Sequence, residues 1–451
     1  MAPRINRGVS FFGLVGATMA ALKLKEHFDG CMYNQLSTEE EGRVALHTPS
    51  AEYNDREAGL QTLEEEEGLL NTNIQKPVRK RHNPRCVCCG LNCGLFCKAL
   101  AIVTVLFVII SVGKFIWWAL TPSPTGLEGK PVFSEALGCL DASHLYNGGE
   151  TTISIPVGDR HDHAIDVHGD AVGTLIVTEA PADINEVQYK LTIQSNDQSL
   201  LDQVTLQYPA AKPDGSSDGN SRLLIGTPRL NRDSSSCIRY DVTMYIPKTL
   251  KKLHILPHAV AHVRFDSEAH IDLEDTFVTL YQMDKRNLIE PHHNLRSTNL
   301  ALEVYRGWIV GDAAIVNETS ITTQRGDGVA NVHVHPTAPA DPTNPEQVSL
   351  RTTTGAGRTD LYFENDKAYP HRPIKSTHLS SRNADVYLTY KNAEFNGNVK
   401  LDSGSHTLTS TMPYSLRGQS KGHWTYWIGD MNGPGKDEIS INSRGWTGLY
   451  F

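Results

Sequence analysis

The hydrophobic pattern divides the chain into stretches of different character. Ala99–Leu120 is predominantly apolar and carries no charged residue except Lys114. As a helix it would reach ~33 Å at ~1.5 Å per residue, enough for a hydrocarbon core of ~30 Å. Apolar side chains surround the whole cylinder and leave no polar face of the kind a soluble core helix shows. Lys114 lies near one end, where its long stem lets the ammonium reach the headgroups. Trp117 and Trp118 stand where an interfacial aromatic belt belongs. The pattern predicts a transmembrane helix over 99–120.

After this run the pattern changes to short, alternating segments rich in Val, Ile, Leu, Thr and Tyr. Examples are Thr151–Ile155, Thr174–Thr178, Val187–Ile193, Val242–Ile246, Leu300–Tyr305 and Asp385–Tyr390. Turn clusters such as Gly355-Ala356-Gly357 and Asn396-Gly397-Asn398 separate them, and no long amphipathic helix intervenes. The region is expected to be all-β. Residues 121–139 read as a Pro/Gly stalk and 140–248 as a sandwich-like part or cap, with an Asp214–Asn220 loop. Residues 249–451 read as shorter, closely spaced strands. There Ala301–Asp312, Val348–Phe363 and Val386–Ser403 look like loose strand–turn–strand repeats, and Arg306-Gly307-Trp308 recurs as Arg444-Gly445-Trp446. Repeats of this kind suggest a β-solenoid, with a second sandwich as the alternative.

Charge sets the orientation. Lys76, Arg79, Lys80, Arg81, Arg85 and Lys98 precede the apolar run, whereas Glu128 and Lys130 are the first charges after it. The positive-inside rule places the N-terminal side in the cytosol and the β region outside it, a type II topology. Residues 1–31 complicate this, because Arg4 and Arg7 precede an apolar run, Val9–Leu22, that looks like a targeting segment. It is read either as a membrane-surface segment or as an upstream extension before Met32. Residues 32–85 are polar, with acidic clusters at Glu39–Glu41 and Glu64–Glu67, and disorder is expected there. Two patterns in the tail look like cytosolic sorting signals: Tyr33 with Leu36, and Glu65 with Leu69 and Leu70. The net charge of −9 gives no reason to expect a nucleic-acid partner.

The eight cysteines are unevenly placed. Cys86, Cys88, Cys89, Cys93 and Cys97 abut the apolar run beside basic residues, in the Cys-rich segment 86–98. Thiols at that interface are S-acylation candidates, and each acyl chain adds ~0.8 kcal/mol per buried CH₂. A zinc reading fits less well, because the Cys93/Cys97 spacing is wide and no mini-domain surrounds it. Cys139 and Cys237 lie beyond the apolar run, and an oxidising compartment would favour pairing them. Asn317-Glu318-Thr319 is a glycosylation sequon on the same side.

No set of residues meets the requirements of an active site, and no cofactor is expected. The 19 histidines include His161, His163 and His168 with Asp166; His254, His258, His262 and His270; and His333 with His335. Hydrogen-bonded strand-surface histidines explain these groups as well as metal ligands do, so no metal site is assigned. Asp272, Glu274 and Asp275 are the acids considered for carbohydrate cleavage, which needs two carboxylates at a defined separation. No phosphate-binding glycine loop occurs.

The short-strand pattern of 250–451, the Cys-rich flank and the closing Gly445-Trp446-Thr447-Gly448-Leu449-Tyr450-Phe451 together resemble a family of fungal single-pass membrane proteins. The C-terminal domain of that family is of the putative-adhesin, β-solenoid-like type. The resemblance implies a surface or lumenal interaction role and supplies no catalytic residues. The expected function is that of a non-enzymatic type II protein of the plasma membrane or endomembrane system. It would touch membrane lipid on one side and a protein or glycan ligand on the other. A membrane-tethered carbohydrate-active enzyme is the alternative.

Overall fold

The computed structural model describes residues 11–34, 87–88, 91–120, 125–209, 221–230, 235–325, 327–381, 384–433 and 435–451. It forms two compact units, Met1–Ser123 and Pro124–Phe451. Cys86, Cys89, Leu36, Glu65, Leu69, Leu70 and the Asp214–Asn220 loop lie outside the described residues.

In the first unit, α1 (Phe11–Asn34) takes in the apolar stretch from Phe11 to Leu22 and continues through Tyr33. The second helix, α2 (Cys93–Leu120), begins at Cys93 rather than at Ala99. Leu95 and Phe96 extend the apolar run and no proline interrupts it, so the helical ladder reaches back into the Cys-rich flank as far as Cys93. Val15, Ala99 and Val103 bury one another where the two helices touch. Within α2, Phe96–Ile116 is long and apolar enough to cross a membrane, with mean hydropathy 2.5. Much of its apolar surface is exposed, Ile109 by 61% and Phe115 by 64%. Before α2, Val87–Cys88 pairs antiparallel with Leu91–Asn92.

Among the described residues, the second unit is built from one continuous sheet of 24 strands. Its middle part follows a simple rule, strands alternating between two parallel ladders, while strands at both ends also pair antiparallel. The first ladder runs Asp162–His168, Lys252–Pro257, Ile271–Leu280, Leu295–Val304, Glu318–Thr323, Val348–Thr354, Ile374–Ser380. The second runs Val172–Glu179, Val260–Phe265, Leu288–Glu290, Trp308–Ile315, Val329–Pro336, Arg358–Glu364, Asp385–Asn392. The long final strand, Asp437–Tyr450, closes both: its first half pairs with Ile374–Ser380 and its second with Asp385–Asn392. Alternation turns every second side chain inward. Ile255, Val278, Leu302 and Ile321 lie in register down one buried column, each at most 1% exposed.

The break expected at 248/249 is bridged by this pairing, because Asp162–His168 and Val172–Glu179 lie directly against the strands that follow it. A single hydrophobic core spans both parts. The segment expected as a stalk is packed as well. Arg239, buried, donates to the Ser134 and Gly138 carbonyls, and the Arg264 guanidinium lies 3.6 Å from the centre of the Phe133 ring. Lys130 bonds Glu290 at 2.7 Å.

The corner between the ladders explains the glycine of the repeated Arg-Gly-Trp. Gly307, Gly357 and Gly445 each sit just before a second-ladder segment, against the carbonyl of the corner residue one turn earlier. A Cβ on them would meet Asn287 O at 2.4 Å, Gly328 O at 1.7 Å and Ala384 O at 1.9 Å respectively. Asn287 O and Gly328 O accept the next strand's N–H groups, from Trp308 and Arg358, so they cannot swing aside. Gly357→Ala is expected to cost ~3 kcal/mol in urea unfolding. Gly404→Ala, where a Cβ meets nothing within 4 Å, is the matched control and should lie within ~0.5 kcal/mol of the parent. Equal midpoints for the two variants would contradict the packed corner.

Candidate functional site

The residues singled out from the sequence fall in separate places. Cys88 ends a two-residue strand, Cys93 opens α2, and Cys97 is an exposed free thiol. Cys139 and Cys237 are joined by a disulfide with their Cα atoms 5.9 Å apart. Asn317 is exposed in the bend between Trp308–Ile315 and Glu318–Thr323, with its carbonyl accepting from Ser349 N at 2.8 Å. Its sequon partner Thr319 is buried and donates to Ala314 O.

The acids considered for carbohydrate cleavage lie along one strand. Asp272 and Glu274 are exposed, and Asp272 lies 3.9 Å from Arg296. The Asn299 amide, aided by Lys252, holds Asp275 below the usual carboxylate range. A general acid in glycoside cleavage needs the opposite shift.

The histidines are redistributed across the fold. His163 points into the core between the Ser221 and Tyr189 hydroxyls, and burial pushes it down to about 3. His262 is buried, accepts from Ser134 N and donates to Arg286 O, and burial pushes it down to about 4. His254 stacks on Phe277 at 5.0 Å. Two groups come together from distant positions: Asp166 with His168 and His258, and His292 and His293 with Asp312. His335 lies 3.4 Å from Asp312, while His333 bonds Glu364 at 2.6 Å. A cleft of about 500 Å³ opens beside His293 and His335, and shares Glu364, Asp366 and Tyr369 with a larger one of about 950 Å³ that His371, Lys391 and Glu394 also line. Beneath it, His371 bonds the buried Asp437 at 2.9 Å. Burial works against protonation of His371, but the hydrogen bond and charge of Asp437 prevail and hold it above its usual range.

The Tyr414–Ser420 edge of the terminal hairpin is a surface that the sequence did not mark. Strand Tyr414–Ser420 pairs antiparallel with His423–Ile428, which in turn pairs with Gly397–Thr409. Tyr414 lies opposite Ile428, and Leu416 opposite Tyr426 and, beyond it, Val399. Ile428 and Val399 are fully buried, so this is the core-facing side of the sheet. Tyr414 and Leu416 on the same side are nevertheless 56% and 51% exposed. Among the described residues the strand has one neighbour only, so its outer edge presents unpaired backbone groups next to apolar side chains. The neighbouring aromatics are engaged: Trp424 packs on His406 at 4.3 Å, and the Arg417 guanidinium covers Trp427 at 4.3 Å.

No protein-family model and no curated protein matches the chain. Among solved structures, it is similar to a putative cell adhesion protein from Clostridium sporogenes, with 10% identity and a TM-score of 0.19. That match covers 67% of this chain and 98% of the other. A putative adhesin from Bacteroides fragilis matches with 8% identity and a TM-score of 0.29, covering 68% of this chain and 98% of the other. Scores this low carry neither fold nor function across.

Proposed function

We propose that the chain is a type II single-pass membrane protein whose C-terminal β unit, a β-solenoid, is a non-enzymatic adhesion domain outside the cytosol. The two parallel ladders support the solenoid reading, since each turn contributes one strand to each. Phe96–Ile116 supplies the anchor, and the basic residues before it orient it. The disulfide and the exposed Asn317 suit an oxidising, glycosylating compartment.

The observation that carries the adhesion reading is the Tyr414–Ser420 edge. An exposed strand with free backbone groups and core-side apolar residues is what a partner protein's strand can extend. Cells displaying the full chain should bind one another or a partner surface, and Leu416→Lys should weaken that binding about tenfold, or ~1.4 kcal/mol. Leu416 contributes little to the fold, so the variant should reach the surface unchanged. Undiminished binding by Leu416→Lys and by Tyr414→Lys would overturn the assignment of this edge. A glycosidase-sensitive gel shift lost in Asn317→Gln tests the topology separately.

A further inference from the structure

The donors around Asp166 lie away from the terminal hairpin and have a different chemistry. In strand Asp162–His168, alternation sends His163, Ile165 and Val167 into the core and Asp166 and His168 outward. Parallel pairing sets Val167 against Pro257, which brings His258 beside His168. The Nε2 atoms of His168 and His258 stand 3.1 and 3.8 Å from Asp166 Oδ1. The two imidazoles stack at 4.5 Å and 12°, and Tyr281 backs His258 at 4.4 Å and 8°. Arg222 engages the other carboxylate oxygen and so fixes where Oδ1 points.

Asp166 is 2% exposed, and its Oδ1 has no hydrogen-bond partner among the described residues. A buried carboxylate oxygen left open toward two imidazole nitrogens calls for a cation.

We propose that Asp166, His168 and His258 bind one divalent transition-metal ion of the zinc class through Oδ1 and the two Nε2 atoms. The three ligand atoms lie within 4.8 Å of one another, close enough to converge on one ion by side-chain rotation. Two imidazoles and a carboxylate suit zinc rather than calcium or magnesium, which favour all-oxygen sites. Arg222 acts as the outer partner that orients the ligating carboxylate. The side chains of His168 and His258 are 49% and 43% exposed, so the ion has an entry path and a fourth position open to solvent. The group at His292, His293 and Asp312 has no comparable buried carboxylate, and His292 Nδ1 already accepts from Asn294 N.

The test is titration of the tag-free, metal-stripped full chain in detergent with Co²⁺, followed by visible absorption and by displacement with Zn²⁺. One equivalent should bind and be displaced by Zn²⁺. His168→Gln and His258→Gln should each weaken binding at least about tenfold. The double variant His292→Gln/His293→Gln should bind as the parent does. Both site histidines are on the surface, so these variants keep their fold, which unchanged circular dichroism verifies. Absence of saturable binding up to ~100 µM, or binding that depends on His292 and His293 instead, would overturn the assignment.

Discussion

Acidification from pH 7 to pH 4 is expected to unfold the β unit, through two histidines that the core holds uncharged. His163 and His378 are both buried, and burial pushes each down to about 3. In the unfolded chain they titrate near 6.5. Between those values the unfolded state binds the proton and the folded state does not, so protons pull the equilibrium toward unfolding. The stability is fully present above pH 6.5 and is lost progressively as pH falls toward 3. Each histidine is worth on the order of 4 kcal/mol over that window at 1.36 kcal/mol per pH unit. Together they rival the 5–15 kcal/mol that stabilises a typical domain.

His378 gives the cleaner experiment. It stands in the buried column between Thr352 and Ile441, and its Nδ1 meets the Thr352 hydroxyl at 2.8 Å. Replacing both partners, His378→Leu with Thr352→Val, removes the titrating group without leaving an orphaned hydroxyl. The acid limb of the thermal-midpoint profile should become markedly shallower than in the parent. A double variant as acid-sensitive as the parent would show that other groups control the transition.

The second large effect is expected from the Cys139–Cys237 disulfide. It closes a loop with a sequence separation of 98, for which the chain-entropy model gives ~4–5 kcal/mol. The bond sits in an ordered setting: Gln194 donates to Cys139 O, Ser195 to Cys237 O, and Cys237 N to Asn196 Oδ1. Cys139→Ala/Cys237→Ala should therefore lower unfolding stability by about 4 kcal/mol in urea. An unchanged midpoint would mean that the flanking hydrogen bonds alone hold this corner. The same pair reports the compartment, since alkylation before reduction should leave both thiols unlabelled in a chain recovered from cells whose β unit faces an oxidising lumen.

Sequence pattern reveals the strands where the core is apolar and hides them where it is not. Leu295–Val304 alternates legibly because its inward residues include Leu300, Leu302 and Val304. Ile374–Ser380 carries no such signal, because Ser376 and His378 face the core along with Ile374. The buried hydroxyls of that end bond one another, Thr354 to Thr359 at 2.6 Å and Ser380 to Ser443 at 2.8 Å. Satisfied pairs can replace apolar residues there, and periodicity cannot register the exchange.

The donor cluster was half legible. Asp166 and His168 stand two residues apart, but His258 joins them only through the register of Val167 against Pro257, which no local pattern specifies. The repeated Arg-Gly-Trp was visible, and the shared corner gives its glycine a physical cause. Tyr414 and Leu416 read as ordinary strand residues, since their exposure follows from where the sheet ends and not from their own neighbours in the chain.

The two ladders also govern how such a domain can change size. Each strand leans on the one a full turn before it, and inward positions recur every second residue. An insertion of one residue inside a strand would exchange its buried and wetted faces from that point on. A duplicated unit of both strands and their corner glycine would slot into the stack and preserve every contact type. In the proposed solenoid, length is therefore quantised, and the reach of the terminal edge can be lengthened or shortened in whole steps without redesigning the core.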